Sequence, residues 1–148
     1  MVIFNLDSHG TQPALLDDAA GKWLTYSELS QRVCEGAENI RALGVKPLVF
    51  LFANNTIAAA TLYLAALQAN AAIVLFPAGL SEERVAQLLE NYRPLAVFGV
   101  GVPAGYEAWD RPPLPGAVLR SGIHADLHPD LPSCCRPRAV LEAPSWCD

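Results

Sequence analysis

Residues 48–100 read LVFLFANNTIAAATLYLAALQANAAIVLFPAGLSEERVAQLLENYRPLAVFGV, and their pattern decides the fold. Leu48–Ala53 is a short continuous apolar run, which suits a strand buried on both faces. Asn54-Asn55 offers an N-cap for a helix that starts near Thr56 and runs to about Gln68. That helix is apolar nearly all round, so it is expected to be sandwiched between layers. Ala72–Phe76 is a second buried strand, stopped by Pro77. Ser81 caps the next helix, and Glu82 and Glu83 stand where the helix dipole favours negative charge. Val85, Leu88 and Leu89 recur at helical spacing until Tyr92-Arg93-Pro94, where proline drives its predecessor out of the right-handed helical region. Leu95–Val100 is the third strand. Strands alternating with helices of this length predict an α/β fold, a parallel sheet flanked by helices.

Upstream, Ala14–Asp17 and Lys22–Thr25 read as two short strands joined by the turn Asp18-Ala19-Ala20-Gly21. Thr25-Tyr26-Ser27-Glu28 has capping-box spacing, in which Thr25 and Glu28 each satisfy a free amide at a helix start. The helix is expected to reach about Leu43, with Leu29, Val33, Ala37 and Ile40 on one face and Gly44 just past its end.

A chain of 148 residues is most simply one domain, able to bury roughly two-thirds of its unfolded surface. With 52% hydrophobic and 17% charged residues, it has the apolar content of a folded protein. The net charge of −5 and the scattered basic residues argue against nucleic acid as a partner. No charged residue lies between Pro47 and Ser81, yet Asn54-Asn55, Gln68, Asn70 and Pro77 cut that run into pieces too short to span a bilayer. The start, MVIFNLDSHGTQ, lacks a basic region before its apolar residues, so neither a secretory signal nor a membrane role is expected. The expected location is the cytoplasm, where disulfides are unpromising.

The segments ALLDDAAGKWLTYSELSQRV and ALGVKPLVFLFANNTIAAATLYLAALQANAAIVLFPAGLSEERVAQLLENYRPLAVF carry a resemblance. Their order resembles the N-terminal part of the AMP-forming, adenylate-forming enzymes: acyl-CoA synthetases, peptide-synthetase adenylation domains and luciferases. The family's L-T-Y-x-E-L signature is matched at residues 24–29 as LTYSEL, and its Y-L-A-A-L at residues 63–67. Asn70 departs from the family pattern, which usually has glycine there. The resemblance covers about Ala14 to Phe98 and implies the partial N-terminal subdomain of such an enzyme. It also implies a reaction in which ATP and a carboxylic acid give an acyl-adenylate and pyrophosphate, the acyl group then commonly passing to a thiol. ATP and magnesium are the cofactors expected of the full-length family. The phosphate-cradling loop, the ribose-binding acid and the late lysine lie, in the family, beyond the matched portion.

After Val100 the text turns glycine- and proline-rich, GVPAGYEAWDRPPLPG. Gly99, Gly101 and Gly105 have the wrong spacing for a nucleotide fingerprint, and a surface connection is expected, with Ala117–Arg120 as one more short strand. The last segment, LPSCCRPRAVLEAPSWCD, concentrates Cys134, Cys135 and Cys147 without amphipathic period. His124 and His128 lie near, but adjacent cysteines without CxxC spacing make a poor zinc site. Read one base out of register, allowed codons for this tail give A-V-L-L-S-T-S-G-S-T-G-[GS]-[PS]-K-L-V-R. Cys134-Cys135 forces a leucine and Trp146-Cys147 forces a valine. That string is the family's phosphate-loop pattern. The expected organisation is therefore residues 1–131 as a truncated N-terminal part of an AMP-dependent synthetase/ligase domain and 132–148 as a frameshifted, irregular, disordered tail. The expected partner is the missing remainder of the enzyme.

Weighed singly, the polar residues have structural explanations. Asn54 and Asn55 follow a strand, where open α/β sheets bind ligands, but helix capping accounts for them. Cys34 reads as a packing residue, His9 as solvated, and Asp17 and Asp18 as turn formers. No catalytic, cofactor-binding or metal-ligating residue is expected in this chain, which alone is predicted to be catalytically incompetent.

Overall fold

A computed structural model describes residues 5–18, 20–111 and 114–121, without the side chains of 110–115. A short 3-10 helix at Leu6–His9 precedes the hairpin of β1 (Pro13–Asp17) and β2 (Lys22–Thr25), which form a two-stranded antiparallel sheet. Then come α1 (Tyr26–Arg41), β3 (Leu48–Ala53), α2 (Ile57–Gln68), β4 (Ala72–Pro77), α3 (Glu82–Tyr92), β5 (Ala96–Phe98), β6 (Tyr106–Arg111) and β7 (Leu114–Arg120). The five later strands form one sheet in the order β4-β3-β5-β7-β6.

The expected parallel unit is present. β3 pairs in parallel with β4 on one side and with β5 on the other. The chain thus leaves β3 in one direction through α2 and crosses back over it through α3. Right-handed crossovers taken in opposite directions place their helices on opposite faces of the sheet. The two apolar clusters show this division. Val49, Leu51, Ala96, Phe98, Ala117 and Leu119 pack with α1 and α2. Phe50, Phe52, Val97 and Val118 pack with Val85 and Leu89 of α3. The strands of the main sheet alternate between the two clusters, as the two-residue repeat of a strand requires, while the hairpin packs with Leu29 and Val33 of α1. Phe50, Ile40, Val33, Val49 and Val97 are the largest apolar side chains to be fully enclosed, each burial stabilising by roughly 1.5–3 kcal/mol.

Beyond β5 the sheet is antiparallel, because no helix intervenes to return the chain. β7 pairs antiparallel with β5, and β6 antiparallel with β7. The stretch expected as a surface connection therefore contains a strand, β6. Its anchors, Tyr106 and Trp109, are three residues apart and point into opposite clusters. Neither helical nor simple alternating periodicity announces such a pair.

Local signals placed most boundaries well. The capping box is complete: Thr25 Oγ1 accepts from the Glu28 amide at 3.2 Å, and Glu28 Oε2 accepts from the Thr25 amide at 2.8 Å. α1 ends two residues before Leu43, capped at Ala42, so Gly44 lies farther past the end than its spacing implied. α2 is capped by Thr56 rather than by the asparagines, Thr56 Oγ1 accepting from the Ala59 amide at 3.2 Å. Ser81 caps α3, and Arg93, before Pro94, closes it in the left-handed conformation. β5 is confined to Ala96–Phe98 because Gly99 turns the chain. Cys34 is buried on α1, where the sequence suggested a packing residue. The 131/132 boundary, the tail from 132, His124 and His128 lie outside the described residues.

Candidate functional site

In an open α/β sheet the place for a ligand is the crevice beyond the carboxyl ends of strands whose connections diverge. Here that is the edge after β3 and β5. The turn after β3 is held by its own hydrogen bonds: Thr56 Oγ1 donates to Asn54 Oδ1 at 2.8 Å while accepting from Ala59. Asn54, expected to cap the helix, instead braces the residue that does. On the β5 side, Gly99 has φ +84°, and a Cβ there would run into the Phe52 carbonyl oxygen. The backbones of β3 and the β5 exit are in close approach. The stretch holding Gly99, Gly101 and Gly105 leads into β6, not into a helix. A phosphate loop draws on a helix N-terminus, so this stretch does not fit a nucleotide phosphate; the role of Gly99 is packing against β3.

Two hollows flank the start of α2. One of about 370 Å³ is lined by Leu16, Leu51, Asn54, Thr56, Tyr63 and Leu75 among others, and its walls are mostly apolar. The other, about 650 Å³, lies between the hairpin and α1, with Asp17, Asp18, Lys22, Glu28 and Arg32 at its rim. Two of its carboxylates, Asp17 and Glu28, are engaged locally. Ala20 N donates to Asp17 Oδ1 at 3.2 Å, which is the turn chemistry expected of that residue. The Glu28 carboxyl is held below its ordinary value first by the Thr25 backbone amide, then by the Thr25 hydroxyl, with Lys22 and Arg32 adding smaller attraction. Thr61 also borders this hollow, and its buried hydroxyl has no hydrogen-bond partner.

Elsewhere, His9 lies exposed against Tyr26, with ring centroids 4.7 Å apart. Tyr106 Oη donates to the Pro94 carbonyl at 3.1 Å, and burial raises its phenol above the usual 10.0. Among the described residues no group of three or more His, Cys, Asp or Glu side chains is placed to hold a metal ion. Among them, too, no helix is long and apolar enough to cross a membrane.

Solved structures share this arrangement. The luciferase-like enzyme of the nonluminescent mealworm Zophobas morio superposes with a TM-score of 0.56 at 21% identity, covering 63% of this chain and 23% of its own. Apo MatB from Rhodopseudomonas palustris gives 0.53 at 23% identity, covering 62% and 18%. IdnL1 gives 0.56 at 18% identity, covering 76% and 24%. At these identities the likeness shows the fold, and the chain spans about a fifth to a quarter of the length of each structure. No match was found among curated proteins. A family model described as AMP-binding enzyme matches residues 5–138, from the 3-10 helix through β7 and beyond. The chain belongs to the AMP-binding enzyme family.

Proposed function

We propose that this chain is the N-terminal portion of an AMP-forming ligase that activates a carboxylic acid with ATP as an acyl-adenylate, often continuing to a thioester. We propose further that the 148 residues alone do not perform the reaction. The observation that carries this reading is the tail: one base out of register, residues 131–148 can encode A-V-L-L-S-T-S-G-S-T-G, the phosphate loop that the matched segments lack. Family membership over residues 5–138 supports the ligase part of this reading. ATP and magnesium would be bound by the continuation of the domain. Within the described part, Asn54 and Thr56 are engaged with each other and the glycines of 99–105 enter a strand, so no step is assigned to them.

A second reading is favoured by exposed apolar side chains such as Leu16, Trp23 and Leu75. In it the chain is a non-catalytic half-domain that docks on a separately encoded remainder. Both readings place it away from nucleic acid and membrane, in the cytoplasm.

Resequencing the gene from about codon 125 past the stop separates them. A one-base correction that opens a long frame through S-T-S-G-S-T-G is the expected result. The corrected protein should then catalyse acid-dependent exchange of pyrophosphate into ATP, while the 148-residue chain should not. Exchange catalysed by the short chain itself would overturn the proposal of incompetence. A confirmed stop followed by an intact downstream frame for the remainder would favour docking.

A further inference from the structure

The two edges of the main sheet, as the described residues form it, differ in composition and exposure. β6 forms one edge; its sequence, YEAWDR, carries three charges and is followed by Pro112-Pro113. Charges and prolines are the usual protection of a strand edge against further pairing. β4, the opposite edge, reads AIVLFP and has none before its terminal proline. Among the described residues it pairs with β3 alone, and there the second row of its backbone donors and acceptors has no strand beside it. Val74 and Leu75 are consecutive, so they point to opposite faces of the sheet, and both are exposed, at 37% and 51%. Register confirms the sides: Val74 lies opposite Phe50, in the α3 cluster, and Leu75 opposite Leu51, in the α1–α2 cluster. The two layers cover β4 only in part: Ile73 packs on the α1–α2 cluster and Phe76 on the α3 cluster, while Val74 and Leu75 between them stay exposed. On the α2 side the exposure continues: Leu75, Tyr63 and Leu16 border one hollow, and Leu16 and Trp23 border the next.

We propose that the outer edge of β4 is the attachment edge for the remainder of the adenylate-forming domain. That remainder adds a strand beside β4 that is apolar on both faces, together with cover over Leu75, Leu16 and Trp23. The inference rests on the proposed ligase reading. The occupant is assigned from length: this chain covers only 18% and 23% of two similar structures, so the greater part of such a fold has no counterpart in it. β4 is the sheet edge without charge protection, and its exposed side chains require a partner strand buried on both faces rather than a single covering helix. In a continuous enzyme the attachment is made in cis, and in a split one in trans.

The test pairs this chain, tagged, with the remainder encoded by the corrected frame from S-T-S-G-S-T-G onward, co-expressed as a second polypeptide. The measurements are co-purification and hydrogen exchange of the β4 amides. The expected result is a complex in which those amides become protected, and whose yield falls at least about tenfold with Leu75→Lys. Glu107→Arg, on the β6 edge, should leave the yield unchanged. Because Leu75 is already half exposed, Leu75→Lys should fold alone, checked by circular dichroism. A complex indifferent to Leu75→Lys with β4 unprotected would overturn the β4 assignment while leaving the ligase reading standing. Failure of the unaltered chain to bind the remainder would count against docking itself. A dimer of this chain that Leu75→Lys dissociates would replace the assigned occupant with a second copy.

Discussion

Replacing Gly99 by alanine tests the close approach of the β5 exit to the backbone of Phe52. The residue holds φ +84°, a conformation costing an L-residue roughly 1–2 kcal/mol. In addition, the new methyl would meet the Phe52 carbonyl oxygen and Cβ, and a backbone oxygen within a paired strand cannot swing aside as a flexible side chain would. Overpacking of this kind adds about 1–3 kcal/mol, so the total loss should be about 3 kcal/mol. Two controls separate the contributions. Gly105 has φ +79° with open space around it, so Gly105→Ala should cost only the backbone strain, roughly 1–2 kcal/mol. Gly101 has neither positive φ nor neighbours in the way, and Gly101→Ala should be neutral or stabilise by about 0.4–1 kcal/mol. Urea unfolding followed by tryptophan fluorescence reads all three. With a slope of about 2 kcal/mol per molar, Gly99→Ala should lower the midpoint by about 1.5 M, Gly105→Ala by less than 1 M, and Gly101→Ala not at all. A Gly99→Ala midpoint equal to that of Gly105→Ala would refute the close approach of the β5 exit to β3.

Other expectations follow from single side chains. Thr25→Ala should cost about 1 kcal/mol by removing the α1 cap. Because the Glu28 carboxyl titrates below its ordinary 4.5 when folded, its contribution is present above that pH and lost as pH falls through the lower folded value. Thermal melts from pH 6 to 3 should therefore show a loss that Glu28→Gln lacks; identical pH profiles would refute the link. Thr61→Val removes a buried hydroxyl without a partner at nearly constant shape and should raise stability by about 1 kcal/mol, read from the urea midpoint. A loss of that size would mean the hydroxyl is bonded. Tyr106→Phe should cost about 0.5–1.5 kcal/mol through the lost bond to the Pro94 carbonyl. Since burial raises the Tyr106 phenol, its contribution is intact below pH 10 and disappears as pH rises through the folded value, so ultraviolet titration should find one late-ionising tyrosine.

Much of the fold was legible because its decisive signals are local. A capping box needs only Thr25 and Glu28, and a helix stop only Arg93-Pro94. The five apolar segments from β3 to β5 announce a βαβαβ unit by their lengths. The candidate site was less legible. Asn54 looked like a cap because asparagine caps helices, yet Thr56 performs that task and Asn54 supports it; two adjacent side chains with similar chemistry compete, and only geometry chooses between them. β6 was hidden for a related reason. A strand whose buried anchors, Tyr106 and Trp109, serve opposite faces shows no amphipathic alternation, and its register with β7 shifts between Trp109 and Arg111.

The sequence by itself determined the order of the elements from β1 to β5, the caps of α1 and α3 and the resemblance to adenylate-forming enzymes, since each is written within a few neighbouring residues. Only the tertiary structure decided that the parallel β4-β3-β5 unit continues into an antiparallel pair, that Gly99 is required by the backbone of Phe52, and that β4 is an edge strand of the described residues with Val74 and Leu75 exposed. Those are relations between strands distant along the chain. Pairing and exposure at such positions depend on which surfaces meet in space, and no local pattern encodes that.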